Sequence, residues 1–138
     1  LYDILQLRSE IFVVEQHCIY NDLDGLDKSA VHQFFKKEGK IIACSRLLHP
    51  GTRFPDFSIG RVVVKHSERN TGLGKAMMEE AKNFMTNEWK AIRIKISAQK
   101  YLQKFYESLG FQVVTAEYSE DGIPHVGMLF ENKRRNNP

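Results

Sequence analysis

Arg69-Asn70-Thr71-Gly72-Leu73-Gly74-Lys75 is where residue types and spacing offer the most chemistry. It follows the β-branched run Val62-Val63-Val64, and its two glycines stand at alternate positions where a helical pattern begins. A glycine lets backbone come close to a ligand because no Cβ intervenes. The opening amides of a helix have no internal partners, and the helix dipole adds partial positive charge there. A pyrophosphate fits such a place, with Arg69 and Lys75 adding charge. Two other phosphate-binding patterns fail. A Walker A loop needs Gly where Arg69 stands and Ser or Thr where Ala76 stands; a Rossmann fingerprint needs a small residue where Met77 stands and an acid closing the next strand.

Further candidates are polar groups placed where periodicity expects apolar ones. Tyr106 is one residue from the stripe of Leu102, Phe105 and Leu109, so its ring meets the core while its hydroxyl reaches a cleft. Arg8 falls on the apolar stripe of the first helix and Glu15 continues it; a salt bridge or loop tether is weighed above substrate contact for both. Arg46 and Arg61 sit in strands and are candidates to pair with Asp22 and Asp24, whose spacing matches no calcium loop. His125, directly after Pro124, and His32, at the edge of an earlier strand, are candidate acid/base or acceptor-binding groups, because imidazole titrates near neutrality. No metal site is predicted. No cysteine or serine sits in a nucleophile setting, which argues against a covalent acyl-enzyme.

The elements that must position these groups follow from periodicity. Leu1, Ile4, Leu5, Ile11 and Phe12 predict a helix over 1–16, and Asn21, Asp22, Asp24, Gly25 and Asp27 a loop over 17–30. Strands are expected over 31–36 and 41–48, joined as a hairpin at Lys37-Glu38-Gly39-Lys40. His49-Pro50-Gly51 and Pro55 mark an irregular connection to a buried strand over 59–64. Leu73, Met77, Ala81 and Phe84 predict a helix over 72–87, followed by a strand over 92–96. A helix over 98–109, stopped by Gly110, precedes strands over 111–118 and 126–130 joined around Asp121-Gly122. The order implies a mixed α/β sheet with helices on both faces, in one domain over 1–132 with a basic, frayed tail over 133–138.

Composition narrows the class. With 42% hydrophobic and 27% charged residues in a chain of 138, one globular domain is expected rather than disorder. The formal charge of +3 suits an anionic cofactor without calling for nucleic acid. Cys18 and Cys44 lack pairing or metal spacing, which favours a reducing cytoplasm. No apolar run approaches the roughly 18 residues a membrane span needs, and no signal peptide is visible.

Arg-x-x-Gly-x-Gly after a strand, opening a helix, resembles the acetyl-CoA signature of the GNAT superfamily of N-acetyltransferases. Tyr106 ahead of Gly110-Phe111 matches that superfamily's next helix and strand. Residues 7–16, 22–25, 59–64 and 120–128 together look like the ElaA-like branch, and the opening Arg…Phe…Glu…Asp pattern is also similar to acyl-homoserine-lactone synthases. The resemblance implies a GNAT fold with a mostly antiparallel sheet, whose first strand, ahead of the first helix, is missing from this chain. It implies acetyl-CoA as co-substrate, gripped by Arg69, Asn70, Thr71, Gly72, Leu73, Gly74 and Lys75, with the backbone of Val62, Val63 and Val64 meeting the pantetheine arm and polarising the thioester carbonyl. It assigns Tyr106 as general acid for the CoA thiolate. The expected reaction is direct attack by a primary amine in a ternary complex, the acceptor being a small molecule or peptide near Arg8, Glu15, His32 and Arg61. Alternatives are transfer of a longer acyl group or a non-catalytic acyl-CoA sensor. A homodimer is a further expectation; nucleic acid and membrane are not expected partners.

Overall fold

The computed structural model describes residues 1–15 and 23–132, Glu15 by its backbone alone. Helix α1 (Tyr2–Arg8) leads into a π-helical stretch, Ser9–Glu15. The helix expected over 1–16 is thus α-helical only as far as Arg8. The wider turn beyond it carries Ile11 into the cluster that Ile4 and Leu7 form with Cys44 and Val63.

Strands β1 (Val31–Lys37) and β2 (Lys40–Leu48) form the expected hairpin. Glu38 and Gly39 both have positive φ, 52° and 77°, which suits a tight turn between twisted strands. Then come β3 (Phe57–Val64), α2 (Leu73–Asn87), β4 (Arg93–Gln99), α3 (Gln103–Ser108), β5 (Gln112–Val113), β6 (Tyr118–Glu120) and β7 (Ile123–Glu131). The sheet order is β1-β2-β3-β4-β7-β5, with β6 also on β7. Only β3 and β4 pair in parallel, so the sheet is mixed and mostly antiparallel. Helix α1 covers one face; α2 and α3 pack into the larger cluster on the other, around Met78, Met85, Ile94, Phe111 and Met128.

The feature that makes room for a site is a bulge in β3. Arg46 pairs with Gly60 and Cys44 with Val63, leaving both Arg61 and Val62 opposite Ser45. Arg61 takes φ 48° to do so. In a regular strand Ile59 and Val63, four residues apart, face the same side. Here Ile59 packs with Met78 and Met85 whereas Val63 packs with Ile4 and Leu7. The bulge inverts the alternation and bends the strand. Pairing with β4 is confined to Phe57 with Ile94 and Ser58 with Lys95, after which the two strands part.

Three expectations need correction. The helix expected from residue 98 starts five residues later, because Ala98 and Gln99 remain in β4, paired with Val126 and His125; cross-strand pairing outcompetes local helical periodicity. The strand expected over 111–118 is split. Thr115 Oγ1 accepts from the Gly127 amide at 2.8 Å in place of a backbone carbonyl, and the ladder resumes only at Tyr118. On α2 the buried stripe is rotated: Phe84 is exposed, and Lys82 is buried instead, its ammonium bonded to the Leu109 carbonyl and 4.7 Å from the Phe130 ring centre. The tail over 133–138 lies outside the described residues.

Candidate active site

The parted strands leave a cavity of about 520 Å³. Its walls are the bulged half of β3, the Ile96–Gln99 end of β4, the turn before α2, Tyr106 on α3 and His125 on β7. Of the residues predicted to act, Arg61, Val62, Val63, Val64, Arg69, Asn70, Gly72, Gly74, Lys75, Tyr106 and His125 all line this one space.

Thr71 and Leu73 do not line it. Thr71 turns its hydroxyl to the Glu68 carbonyl at 2.7 Å, bracing the turn, and Leu73 is half-buried. Neither do Arg8 and His32. Arg8 is 1% exposed and donates from Nη1 to Asp27 Oδ1 at 2.7 Å. His32 holds the Asp27 carbonyl through Nε2 at 2.8 Å. Both tie the segment ahead of β1 to the body of the protein; for Arg8 this is the tether weighed above substrate contact, and His32 takes a similar part. The side chain of Glu15, like Asp22, lies outside the described residues.

The turn ends in a helix start with no side-chain cap. A short 3-10 turn, His66–Glu68, leads to Asn70 at φ 64° and Gly72 at φ 81°, and α2 starts directly after. Gly72 caps the helix without any side-chain bond, and no acidic residue occupies the first turn. The first intrahelical bond is Ala76 N to Gly72 O at 3.1 Å, which leaves the amides of residues 73–75 without helical partners. A Cβ added at Gly74 would meet Phe105 and Val64 at 3.8 Å, ordinary contact. The fold itself therefore tolerates a side chain there, and Gly74 borders the cavity.

Tyr106 stands edge-on to Phe105 and Phe111, ring centres 5.2 and 6.0 Å away. It is 7% exposed. Burial, with a smaller push from Tyr101, raises its phenol to about 12. It is a neutral donor throughout the physiological range.

At the other end of the cavity the β6–β7 hairpin assembles a polar cluster. His125 donates from Nδ1 to the Ile123 carbonyl at 2.7 Å, which leaves Nε2 as the lone-pair nitrogen of the neutral ring. Nε2 lies 3.4 Å from Glu120 Oε2. Arg53 Nη2 donates to Glu120 Oε1 at 2.5 Å, Ser97 Oγ reaches Oε2 at 3.5 Å, and the Tyr118 hydroxyl meets Ser97 at 2.5 Å. Glu120, Arg53 and Ser97 escaped the sequence reading. For Glu120 a signal existed: a two-residue turn at Asp121-Gly122 sets Glu120 opposite Ile123 and Tyr118 opposite His125, all on one face.

Arg46 and Arg61 do pair with an acid of the preceding segment. Arg46 grips both oxygens of Asp24 at 2.8 and 2.9 Å and approaches Asp27 at 3.4 Å; Arg61 Nη2 lies 3.4 Å from Asp24. Burial pushes the Asp24 carboxyl up, but the Arg46 hydrogen bond, the Leu26 amide and the two guanidinium charges outweigh it and bring it to about 2. Asp27 is lowered in the same manner, burial being overcome by Arg8 and Arg46. Among the described residues no group of three His, Cys, Asp or Glu is placed to hold a metal ion. No described helix is long and apolar enough to cross a membrane.

A bulged strand parting from its parallel neighbour, a glycine turn at a bare helix start and a tyrosine on the next helix define an acetyltransferase scaffold. The acetyltransferase (GNAT) domain family matches residues 9–131, and the chain belongs to that family, in its ElaA-like branch. Protein ElaA of Escherichia coli K12 is 39% identical over 133 residues, covering 95% of this chain and 87% of ElaA. The crystal structure of Escherichia coli ElaA superposes with a TM-score of 0.86, covering 94% of this chain and 88% of ElaA. An acyl-CoA N-acyltransferase from Pseudomonas aeruginosa is 42% identical with a TM-score of 0.87, over 94% of this chain and 88% of that one. At 12% identity and a TM-score of 0.69, an aminoglycoside 6′-N-acetyltransferase complexed with coenzyme A shares the fold, over 93% of this chain and 89% of its own.

Proposed function

We propose that this protein moves an acetyl group from acetyl-CoA to a primary amine by direct attack in a ternary complex. The observation that carries the reading is one cavity holding the bare start of α2, the bulged half of β3 and Tyr106. The residues fit the cofactor: unpartnered amides over 73–75, cationic Arg69 and Lys75 beside them, no acid in the first turn, and Gly74 leaving its side of the cavity clear. The solved acetyltransferase complex with coenzyme A, similar in fold, supports the same choice of ligand.

Acetyl-CoA supplies the activated acyl carbon as a thioester. The Val62–Val64 backbone beyond the bulge, unpaired with β4, can donate to a polarised carbonyl oxygen. His125 Nε2 takes a proton from the acceptor's ammonium, and the free amine forms the C–N bond as the C–S bond breaks. Tyr106 donates to the departing sulfur. Its raised phenol matters for how it does so. A thiol in water titrates near 8.5, so full transfer from a phenol near 12 to a solvated thiolate is uphill by on the order of 5 kcal/mol. Tyr106 therefore acts first as a hydrogen-bond donor, and the transfer completes as burial of the sulfur raises its own basicity. The attacking nitrogen sheds its second proton as the intermediate collapses, through water to the Tyr106 oxygen, so the balance is one amide, one thiol and one proton passed from His125 to water.

Calorimetry with acetyl-CoA and thiol release with a panel of primary amines test this directly. Saturable binding and intersecting initial-rate lines are expected; parallel lines, diagnostic of a covalent acyl-enzyme, or no binding at all, would remove the proposal.

A further inference from the structure

Arg53 takes no part in the proposed proton and acyl transfers. It lies in the connection before β3 and spends Nη2 on Glu120, while Nη1 sits 3.8 Å from where a Cβ would stand on Gly60 of β3. The guanidinium thus reaches from β6 to β3 along the cavity, side by side with the Glu120 carboxylate, and the two side chains are 26% and 30% exposed. The second oxygen of Glu120 faces His125 Nε2 at 3.4 Å.

We infer that this pair is a subsite for a zwitterion, and that the acceptor is an α-amino acid: its ammonium between Glu120 Oε2 and His125 Nε2, its carboxylate on Arg53. The inference rests on the acetyl-transfer reading and names its substrate class. One ammonium nitrogen can hydrogen-bond two acceptors 3.4 Å apart. Guanidinium is the planar donor suited to carboxylate. Polycations are disfavoured on the same ground, because Arg53 already neutralises Glu120 and would face any second positive charge across a partly buried space. A neutral aminosugar gains nothing from Arg53.

Matched pairs test it: phenylalanine with phenethylamine, and lysine with cadaverine, each differing by the carboxylate alone. Acetyl transfer is followed by thiol release, and acetyl-CoA affinity of every variant by calorimetry confirms that it is folded. The amino acids should be preferred by roughly ten- to a hundredfold in kcat/KM, chiefly through KM, the scale of one charged hydrogen bond. Arg53→Gln should erase that preference, Arg53→Lys retain part of it, and Glu120→Gln lower both members of a pair alike. A wild-type protein that acetylates phenethylamine, cadaverine or spermidine as well as amino acids overturns the inference and leaves the transferase reading standing. So does Arg53→Gln lowering both members equally, or transfer to no member of the pairs by a protein that binds acetyl-CoA. Loss of acetyl-CoA binding by the wild type removes the reading beneath it instead.

Discussion

Arg69 Nε donates to the main-chain carbonyl of Val64 across 3.1 Å. The bond ties the arginine of the glycine turn to the last residue of β3, linking the backbone beyond the bulge to the turn before α2. The arginine proposed above to contact phosphate is thereby also bonded to the strand proposed to meet the thioester.

Gly74 gives a clean test of the turn before α2. Because the protein would meet an added Cβ only at 3.8 Å, Gly74→Ala should melt within a degree or two of wild type. Its affinity for acetyl-CoA should nevertheless drop at least about tenfold, ~1.4 kcal/mol, from the methyl standing where the ligand must approach. Thermal unfolding and calorimetry on the same sample read both quantities. Unchanged affinity would detach this turn from the cofactor.

Replacing Tyr106 by Phe removes the hydroxyl and keeps the ring among Phe105 and Phe111. We expect kcat to fall by roughly 10²–10⁴ with little change in KM for acetyl-CoA. The acid form is the active one and persists below about 12, so Tyr106 should contribute no alkaline decline in rate between pH 7 and 10. A Tyr106→Phe enzyme at full rate would assign this residue to the core.

Stability should respond to acid through Asp24. Its carboxyl is ionised down to about 2 in the folded protein and to its ordinary 3.8 in the unfolded chain. The unfolded state therefore binds a proton first as pH falls, and the stabilisation, whole above pH 4, is lost between about 4 and 2. Urea midpoints should decline across that window. Asp24→Asn should be less stable at pH 7 and lose that part of the slope; an unaltered slope would show that the pairing with Arg46 is not what acid breaks.

Asp27 holds two guanidiniums that are each 1% exposed. Removing a carboxylate from such a group leaves buried positive charge poorly compensated, at a cost of about 3–5 kcal/mol. Asp27→Ala should thus be among the most destabilising single changes, measurable as a large drop in denaturant midpoint. A loss under about 1 kcal/mol would mean that solvent reaches the cluster.

Much of this protein is decided by the sequence alone. Two glycines after a β-branched run, the hairpins at Glu38-Gly39 and Asp121-Gly122, and Tyr106 beside an apolar stripe are local facts, because turn dihedrals and helical pitch act over a few residues. The tertiary structure decided the rest. The bulge at Arg61 depends on register against Cys44 and Arg46, which periodicity within one strand cannot express. Ala98 and Gln99 read as helix until β7 claims them, since interstrand bonds come from residues about 26–28 positions away. Glu120 and Arg53 are separated by 67 residues and meet only because β4 and β7 bring the hairpin alongside β3. For Arg8 a tether was legible as the favoured role, but that its partner is Asp27, and that His32 holds the Asp27 carbonyl, only the fold decides, because a buried charge seeks its partner across the fold and no spacing along the chain reveals which partner that is.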